Sequence, residues 1–230
     1  MRILFLFCSL FFLYSGLQAQ NDCSGYFPFE EGSYFVQNSY DHKGKLSSTT
    51  RHEVNFLMDS DEGTEAQVDL TIWDEKGEEV AKSDYLVTCI DGDLVLDMRS
   101  ITANMMEIAM EDMDIDIETS GMVLPAKLNV GDKLDDAYSI VKVGTNGMVI
   151  MTTRMDVTDR KVIGSELLTT PAGTFNCMVL TSNTRSKAMI TTMEFETKQW
   201  FAEGHGMIRS ESYRKGKLES YTEMVEFGTK

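Results

Sequence analysis

The side chains best suited to act as general bases are the three histidines, His42, His52 and His205. A serine hydrolase places a histidine beside its nucleophile, often in a G-x-S-x-G turn, and this chain lacks that motif. His42 falls in a predicted turn, His52 beside charged residues of a predicted strand, and His205 between two glycines. These settings are typical of exposed or structural histidines. We therefore predict that the protein is not an enzyme.

The cysteines allow either nucleophilic chemistry or a disulfide. Cys177 stands in an alternating apolar segment, which predicts a buried free thiol rather than an exposed nucleophile. Cys23 lies near the start of the chain and Cys89 at a strand end, so they are the better pair for a disulfide in an oxidising compartment. The connectivity itself does not follow from sequence. The polar residues 20–22 do not fit a lipidation signal, so we expect no lipid on Cys23.

An alternating run of acids has a spacing that could suit calcium: Asp112, Asp114, Asp116 and Glu118. The calcium loop of an EF-hand also needs glycine at its sixth position and glutamate at its twelfth. Those positions hold Ile117 and Val123, so the loop fails. In a strand these acids form one solvated face. We predict no metal and no cofactor.

The sixteen methionines are the most unusual feature of the composition. Several fall in residues 101–113, where apolar residues recur at helical spacing. Methionine surfaces adapt to varied apolar partners, which predicts an apolar pocket between this helix and a sheet. Its predicted lining residues are Met105, Met106, Ile108, Met110 and Trp200. The alternative is a filled core that uses methionine as a flexible packing residue.

Residues 1–19 have the charged start, apolar run and small-residue end of a secretory signal peptide. Without them the chain has 20 basic and 37 acidic residues, a net charge of −17. Nucleic acid is excluded as a partner because phosphate binding needs clustered basic residues. No later stretch approaches the length of a transmembrane helix. We expect an exported protein: periplasmic, outer-membrane-associated or extracellular.

The remaining residues, 20–230, read as one domain of roughly a dozen short strands. Residues 64–73 alternate strictly between apolar and polar, which indicates a half-buried strand. Turn signals recur at hairpin spacing, and the clearest is Thr170-Pro171-Ala172-Gly173. The strand after it has apolar residues on both faces, which predicts a sheet covered on both sides. The predicted fold is mainly β: a strongly bent antiparallel meander, or half-barrel, with one helix against its concave face.

Six segments carry a family resemblance: Y-D-H-K-G-K at 40–45, D-M-R-S at 97–100, V-G-D-K-L at 130–134, V-I-G-S-E at 162–166, T-T-P-A-G-T-F-N-C at 169–177 and W-F-A-E-G-H-G at 200–206. With these segments the chain resembles the TapB-like family of secreted, uncharacterised Bacteroidetes proteins. The resemblance implies a half-barrel related in shape to lipoprotein carriers, and it brings no catalytic residue.

Two functions follow from these observations. The first is a non-catalytic exported protein that binds an apolar ligand, a lipid or a lipoprotein segment, between sheet and helix. The second is a structural or assembly component of the cell envelope, with a filled core and a protein partner. An empty or a filled concave face distinguishes them.

Overall fold

The computed structural model describes residues 23, 25–60, 63–100 and 113–230. They form thirteen strands in a single curved antiparallel sheet, which confirms the predicted fold class. The strands are β1 Ser33–Asp41, β2 Leu46–Ser60, β3 Gly63–Asp74, β4 Glu79–Ile90, β5 Asp93–Leu96, β6 Asp114–Thr119, β7 Met122–Leu124, β8 Ala137–Thr145, β9 Met148–Thr170, β10 Gly173–Ala188, β11 Thr191–Ala202, β12 Gly206–Arg214 and β13 Lys217–Thr229.

The strand order is β6-β8-β9-β10-β11-β12-β13-β1-β2-β3-β4-β5-β7. Most neighbours are consecutive in the chain, as a meander requires, but β6 and β7 stand at opposite edges. Only Ser120 and Gly121 separate these two strands. Three peptide units reach about 11 Å at most. The sheet therefore curves until its two edges nearly meet.

Several predicted features lie outside the described residues. They are the signal peptide and nearly all of the predicted helix over 101–113, of which the structure describes only Met113. Residues 98–100 are helical. Within the described part of the chain, no helix has the length and hydropathy that crossing a bilayer requires.

The main core fills the space between the two halves of the curved sheet. Val54 and Val68 of β2 and β3 belong to the same buried cluster as Cys177 and Trp200 of β10 and β11. Six of its residues have no exposed area: Ala66, Val68, Val87, Cys177, Ile208 and Met224. Contact between strands this distant in sheet order requires strong curvature. Burial of their apolar surface is the main stabilising contribution to this fold.

A second cluster covers the opposite face of the sheet at β10. Cys177 and Val179 belong to the main core, whereas Leu180 packs with Val162 and with Leu128 of the β7–β8 connection. Alternate side chains of a strand point to opposite faces. The prediction that this strand is covered on both sides is therefore confirmed.

The hairpin predicted at Thr170–Gly173 joins β9 to β10. Thr170 and Gly173 are paired across the loop Pro171-Ala172, and Gly173 has a φ of 145°. At the start of the described chain, Cys23 forms a disulfide with Cys89 of β4, with 5.8 Å between their Cα atoms. Cys177 is a free and buried thiol.

Candidate ligand-binding groove

Of the five residues predicted to line a pocket, only Trp200 lies in the described structure. Its side chain belongs to the packed core and is 4% exposed. The indole Nε1–H donates to the carboxylate of Glu166, and the Lys198 ammonium lies 4.3 Å from the ring centroid. Trp200 thus contacts core side chains on β10–β12. Its pairing with Met105, Met106, Ile108 and Met110 around a ligand stays a prediction.

A groove of about 890 Å³ lies at the end of the sheet where β10 begins and β13 ends. Six of its fifteen lining residues are aromatic, and the lining comes from the N-terminal segment, from β1, β2, β3 and β13 and from the β11–β12 turn. The aromatic lining residues are Phe27, Phe29, Tyr34, Phe35, His205 and Phe227. Phe227 is 44% exposed, so part of this apolar surface faces solvent.

The N-terminal segment forms one wall of the groove because it is attached at several points. The amide of Gly204 donates to the carbonyl of Gly25 at 2.6 Å, and that of Gly32 to the carbonyl of Val54 at 2.9 Å. The Cys23–Cys89 disulfide ties the same segment to β4. Phe27 packs edge-on against Phe29 and Phe35, with centroids 5.3 and 6.2 Å apart. The wall is therefore held in place before any ligand arrives.

His205 connects the two most distinctive sequence motifs. Its ring lies 5.2 Å from that of Phe175 and 4.8 Å from that of Phe227, centroid to centroid, in edge-on geometry. Phe175 ends the T-P-A-G-T-F motif, and His205 is the centre of G-H-G. The imidazole Nδ1 lies 2.7 Å from the carbonyl oxygen of Glu203, which can only accept, so Nδ1 is the donor.

The sequence does not predict this convergence. Each motif by itself indicates only local structure, a hairpin or a histidine between two glycines, and the predicted site lies under the helix. One sequence feature points to this site: the two motifs are the most distinctive stretches of the chain. Their 30-residue separation gives no indication that both end beside Phe227.

His52 lies directly behind the groove. Its ring stacks on Phe35 at 4.5 Å, and its Nδ1 is 2.9 Å from the hydroxyl of Tyr85. Burial lowers the pKa of His52 to about 4 and raises that of Tyr85. Both groups are therefore neutral near pH 7. A histidine with so low a pKa is a poor general base there.

The groove offers apolar contact more readily than chemistry. Among the described residues, no cluster of histidine, cysteine and carboxylate side chains is arranged to hold a metal ion. The one cysteine in the lining, Cys23, is engaged in the disulfide. At the rim, the Tyr34 hydroxyl donates to Glu226 at 2.9 Å. The arrangement suits the binding of an apolar chain between aromatic faces.

Comparison with known proteins agrees with the fold. No curated protein matches the chain. A solved structure described as a "putative exported protein with YmcC-like fold", from Bacteroides fragilis, is 24% identical, with a TM-score of 0.71. A "putative lipoprotein" from Parabacteroides distasonis is 27% identical, with a TM-score of 0.71. Each match covers 90% of this chain and 100% of the other. The profile of the DUF3108-like family matches residues 30–224, and the chain therefore belongs to the DUF3108-like family.

Proposed function

We propose that this is an exported, non-catalytic protein that binds an acyl chain in the aromatic groove at the end of its sheet. The observation that carries the proposal is the open groove of about 890 Å³ with half-exposed Phe227 on its wall. Small-molecule sites commonly have volumes of about 300–1,000 Å³ and mainly apolar linings. An acyl chain has the chemistry that such a lining recognises, and it is carried by lipids and by lipoproteins alike.

The proposed binding site differs from the pocket that the sequence predicts. The predicted pocket lay between sheet and helix, and Trp200, its one described member, is a core residue. The aromatic groove lies at the edge of that core, to which its Phe27 and Phe35 belong, and keeps exposed apolar surface at Phe227. It is therefore the better candidate for the apolar ligand.

Export is part of the proposal. Residues 1–19 have the features of a signal peptide, and the two similar structures are described as an exported protein and a lipoprotein. We propose a periplasmic, outer-membrane-associated or extracellular location, and a place among the TapB-like proteins. While Cys23 is bonded to Cys89, its sulfur cannot also carry a lipid thioether. Attachment by lipid at this cysteine is thus incompatible with the disulfide seen here.

The test is titration of the purified protein with a fluorescent fatty acid. We expect saturable one-to-one binding, weakened about tenfold or more by Phe227→Asp, because a charge in an apolar site must be desolvated. Leu167→Asp is the matched control, since Leu167 is 75% exposed on β9 and outside the groove lining. Binding that is absent, or equally weakened by both changes, would refute the proposal. Mass spectrometry of lipid and acylated peptide released from the native protein separates the two acyl sources.

A second candidate is a structural or assembly component of the cell envelope. The observation that favours it is the filled main core, which leaves no space around Trp200 and Cys177 for a ligand. This candidate needs an envelope protein as partner rather than a lipid. Crosslinking in the host followed by identification of a single stoichiometric partner, with no extractable lipid, would favour it.

A further inference from the structure

Two neighbouring hairpins end in a patch of exposed apolar side chains, which we term the apolar tip: Met148, Val149, Ile150, Met189, Ile190 and Met193. The β8–β9 turn directly precedes Met148, and the β10–β11 turn contains Met189 and Ile190. The β10–β11 turn lies beside β9, since Ala188 pairs with Thr153 and the Met189 amide donates to the Thr152 carbonyl at 3.5 Å, and the first residues of β9 extend past it to the β8–β9 turn. The exposed fractions reach 69% at Met148 and 99% at Ile190.

The β10–β11 turn lacks the residue types that tight hairpin turns usually contain. Three other described hairpin turns have a positive-φ residue followed by glycine: Asp91-Gly92, Asn146-Gly147 and Lys215-Gly216. Tight turns of this kind favour glycine and asparagine because positive φ is strained for other side chains. Met189 has a φ of 51° and is followed by Ile190. The chain thus places two large apolar side chains in solvent at a position where they also disfavour the turn.

The charges near the apolar tip differ from those of the whole chain. The chain has a net charge of −16, yet residues 143–153 and 188–193 contain no charged residue. Basic residues come next along β8, β9 and β10: Lys142, Arg154 and Lys187, of which Arg154 and Lys187 are direct cross-strand partners. On β11 the next residue is the acid Glu194. Lys142, Arg154 and Arg185 form ion pairs with Asp116, Asp156 and Glu194. The exposed Lys187 forms no ion pair within the described structure. Asp114 accepts from the Gly147 amide in the β8–β9 turn.

We propose that the apolar tip inserts into the interface of a phospholipid bilayer, with Lys187 and its basic neighbours at the level of the phosphates. Interfacial binding combines a small inserted apolar surface with basic residues just behind it. Three of the acids nearest the tip, Asp116, Asp156 and Glu194, are neutralised by ion pairs with basic residues, which lowers the cost of bringing them to the interface.

A bilayer fits the tip better than a protein partner does. Specific protein interfaces bury about 800 Å² per partner and have polar groups around an apolar centre. The apolar tip is the narrow end of two hairpins, and its residues project beyond the packed core. The aromatic groove begins at the other end of β10, about 50 Å away for an extended strand of this length. Docking by the tip is therefore independent of ligand binding in the groove.

The experiment is co-flotation of the purified protein with vesicles of phosphatidylethanolamine and phosphatidylglycerol. We expect wild type to float with the vesicles. The double variant Met189→Gly, Ile190→Asn should bind the vesicles at least about tenfold more weakly. Because Gly-Asn suits the tight turn, we expect the variant to be as thermally stable as wild type, which rules out unfolding as the cause. Leu167→Asn, an equally apolar but remote exposed site, should float like wild type.

A spectroscopic measurement supplies the second arm. Ile190→Trp should show a blue-shifted emission on vesicle addition and quenching by brominated lipid, both against the background of Trp73 and Trp200. Failure of wild type to float, or floating of the Gly-Asn variant at the wild-type level, would overturn the proposal. So would a lipid-free dimer of wild type that the Gly-Asn variant dissociates, since the tip would then bind a second copy of the chain.

Discussion

The guanidinium of Arg160 donates a hydrogen bond of 2.8 Å to the backbone carbonyl of Val123. Arg160 lies on β9 and Val123 on β7, which stands at the far edge of the strand order. The same side chain donates to the carbonyl of Asp135 at 2.8 Å and is 4% exposed. One buried side chain thus links β9, third from one edge, to β7 at the opposite edge, with which it forms no strand pairing.

Replacing Arg160 by leucine should lower the free energy of unfolding by about 2–4 kcal/mol. The carbonyls of Val123 and Asp135 would lose their donor, and a buried polar group without a partner costs about 1–3 kcal/mol. Urea unfolding measures the loss. Arg185→Leu is the control, because its ion pair with Glu194 is exposed and should contribute less than about 1 kcal/mol. Equal stability of the two variants would contradict the linking role of Arg160.

Acid should destabilise the protein through His52. Its pKa is lowered to about 4 in the folded state, against 6.5 for an unperturbed histidine. Between these values the unfolded chain binds a proton that the folded chain does not, so stability falls as pH falls through this window. From about pH 7.5 to about pH 5 the expected loss is about 2 kcal/mol, at 1.36 kcal/mol for each pKa unit. Urea unfolding at the two pH values measures it.

The variant His52→Phe should lack this part of the acid dependence, because phenylalanine can stack on Phe35 and does not titrate. It will be less stable at neutral pH, since the hydroxyl of Tyr85 loses its partner. His42→Asn, in the β1–β2 turn, is the control and should lose stability like wild type. An unchanged pH dependence in His52→Phe would show that the lowered pKa is wrong.

Removing the Cys23–Cys89 disulfide should destabilise the protein substantially. The bond spans 66 residues, and the chain-entropy relation gives about 4 kcal/mol for a loop of that length. The double variant Cys23→Ser, Cys89→Ser, compared with wild type by urea unfolding, tests this expectation.

Cys177 should stay unreactive to thiol reagents in the folded protein, since it is fully buried and burial raises its pKa to about 11. Rapid labelling of Cys177 in folded wild type would contradict its placement in the core.

Trp200 distinguishes a core from a pocket. Truncation of a large aromatic residue in a packed core costs about 3–5 kcal/mol, so we expect Trp200→Ala to be severely destabilised. Trp200→Phe keeps most of the packing and loses the hydrogen bond to Glu166, so a loss of about 1–2 kcal/mol is expected. Thermal and urea unfolding measure both. A Trp200→Ala variant that folds normally and loses only ligand binding would instead support the predicted pocket.

Local features of the fold were readable from sequence because their causes are local. Alternation marked β3 as half-buried, and Ala66 and Val68 are indeed fully buried. Turn-forming residues predict the hairpin at Thr170–Gly173, because the backbone preferences of Pro171, Ala172 and Gly173 are enough to specify a tight turn. The double-sided apolar pattern of the next strand predicted cover on both faces, and Val179 and Leu180 enter different clusters.

The sites were less predictable because their members come from distant parts of the chain. His205 was read as a structural residue between glycines, and no pattern near it indicates Phe175 or Phe227 as neighbours. The exposed Met148, Met189 and Ile190 look like ordinary strand residues in sequence, since their apolarity fits a buried strand equally well. Burial depends on where the core ends along each strand, which periodicity does not reveal.

By itself, the sequence determined the strand-and-turn content and the burial of Cys177, because periodicity and turn residues act through near neighbours. The tertiary structure decided that β6 and β7 lie at opposite edges and that Arg160 of β9 reaches the far edge strand β7. It also decided that Phe175 of the core and Phe227 of the groove meet His205. These relations depend on the curvature of thirteen strands, to which every cross-strand pair contributes a small twist and which no short segment encodes.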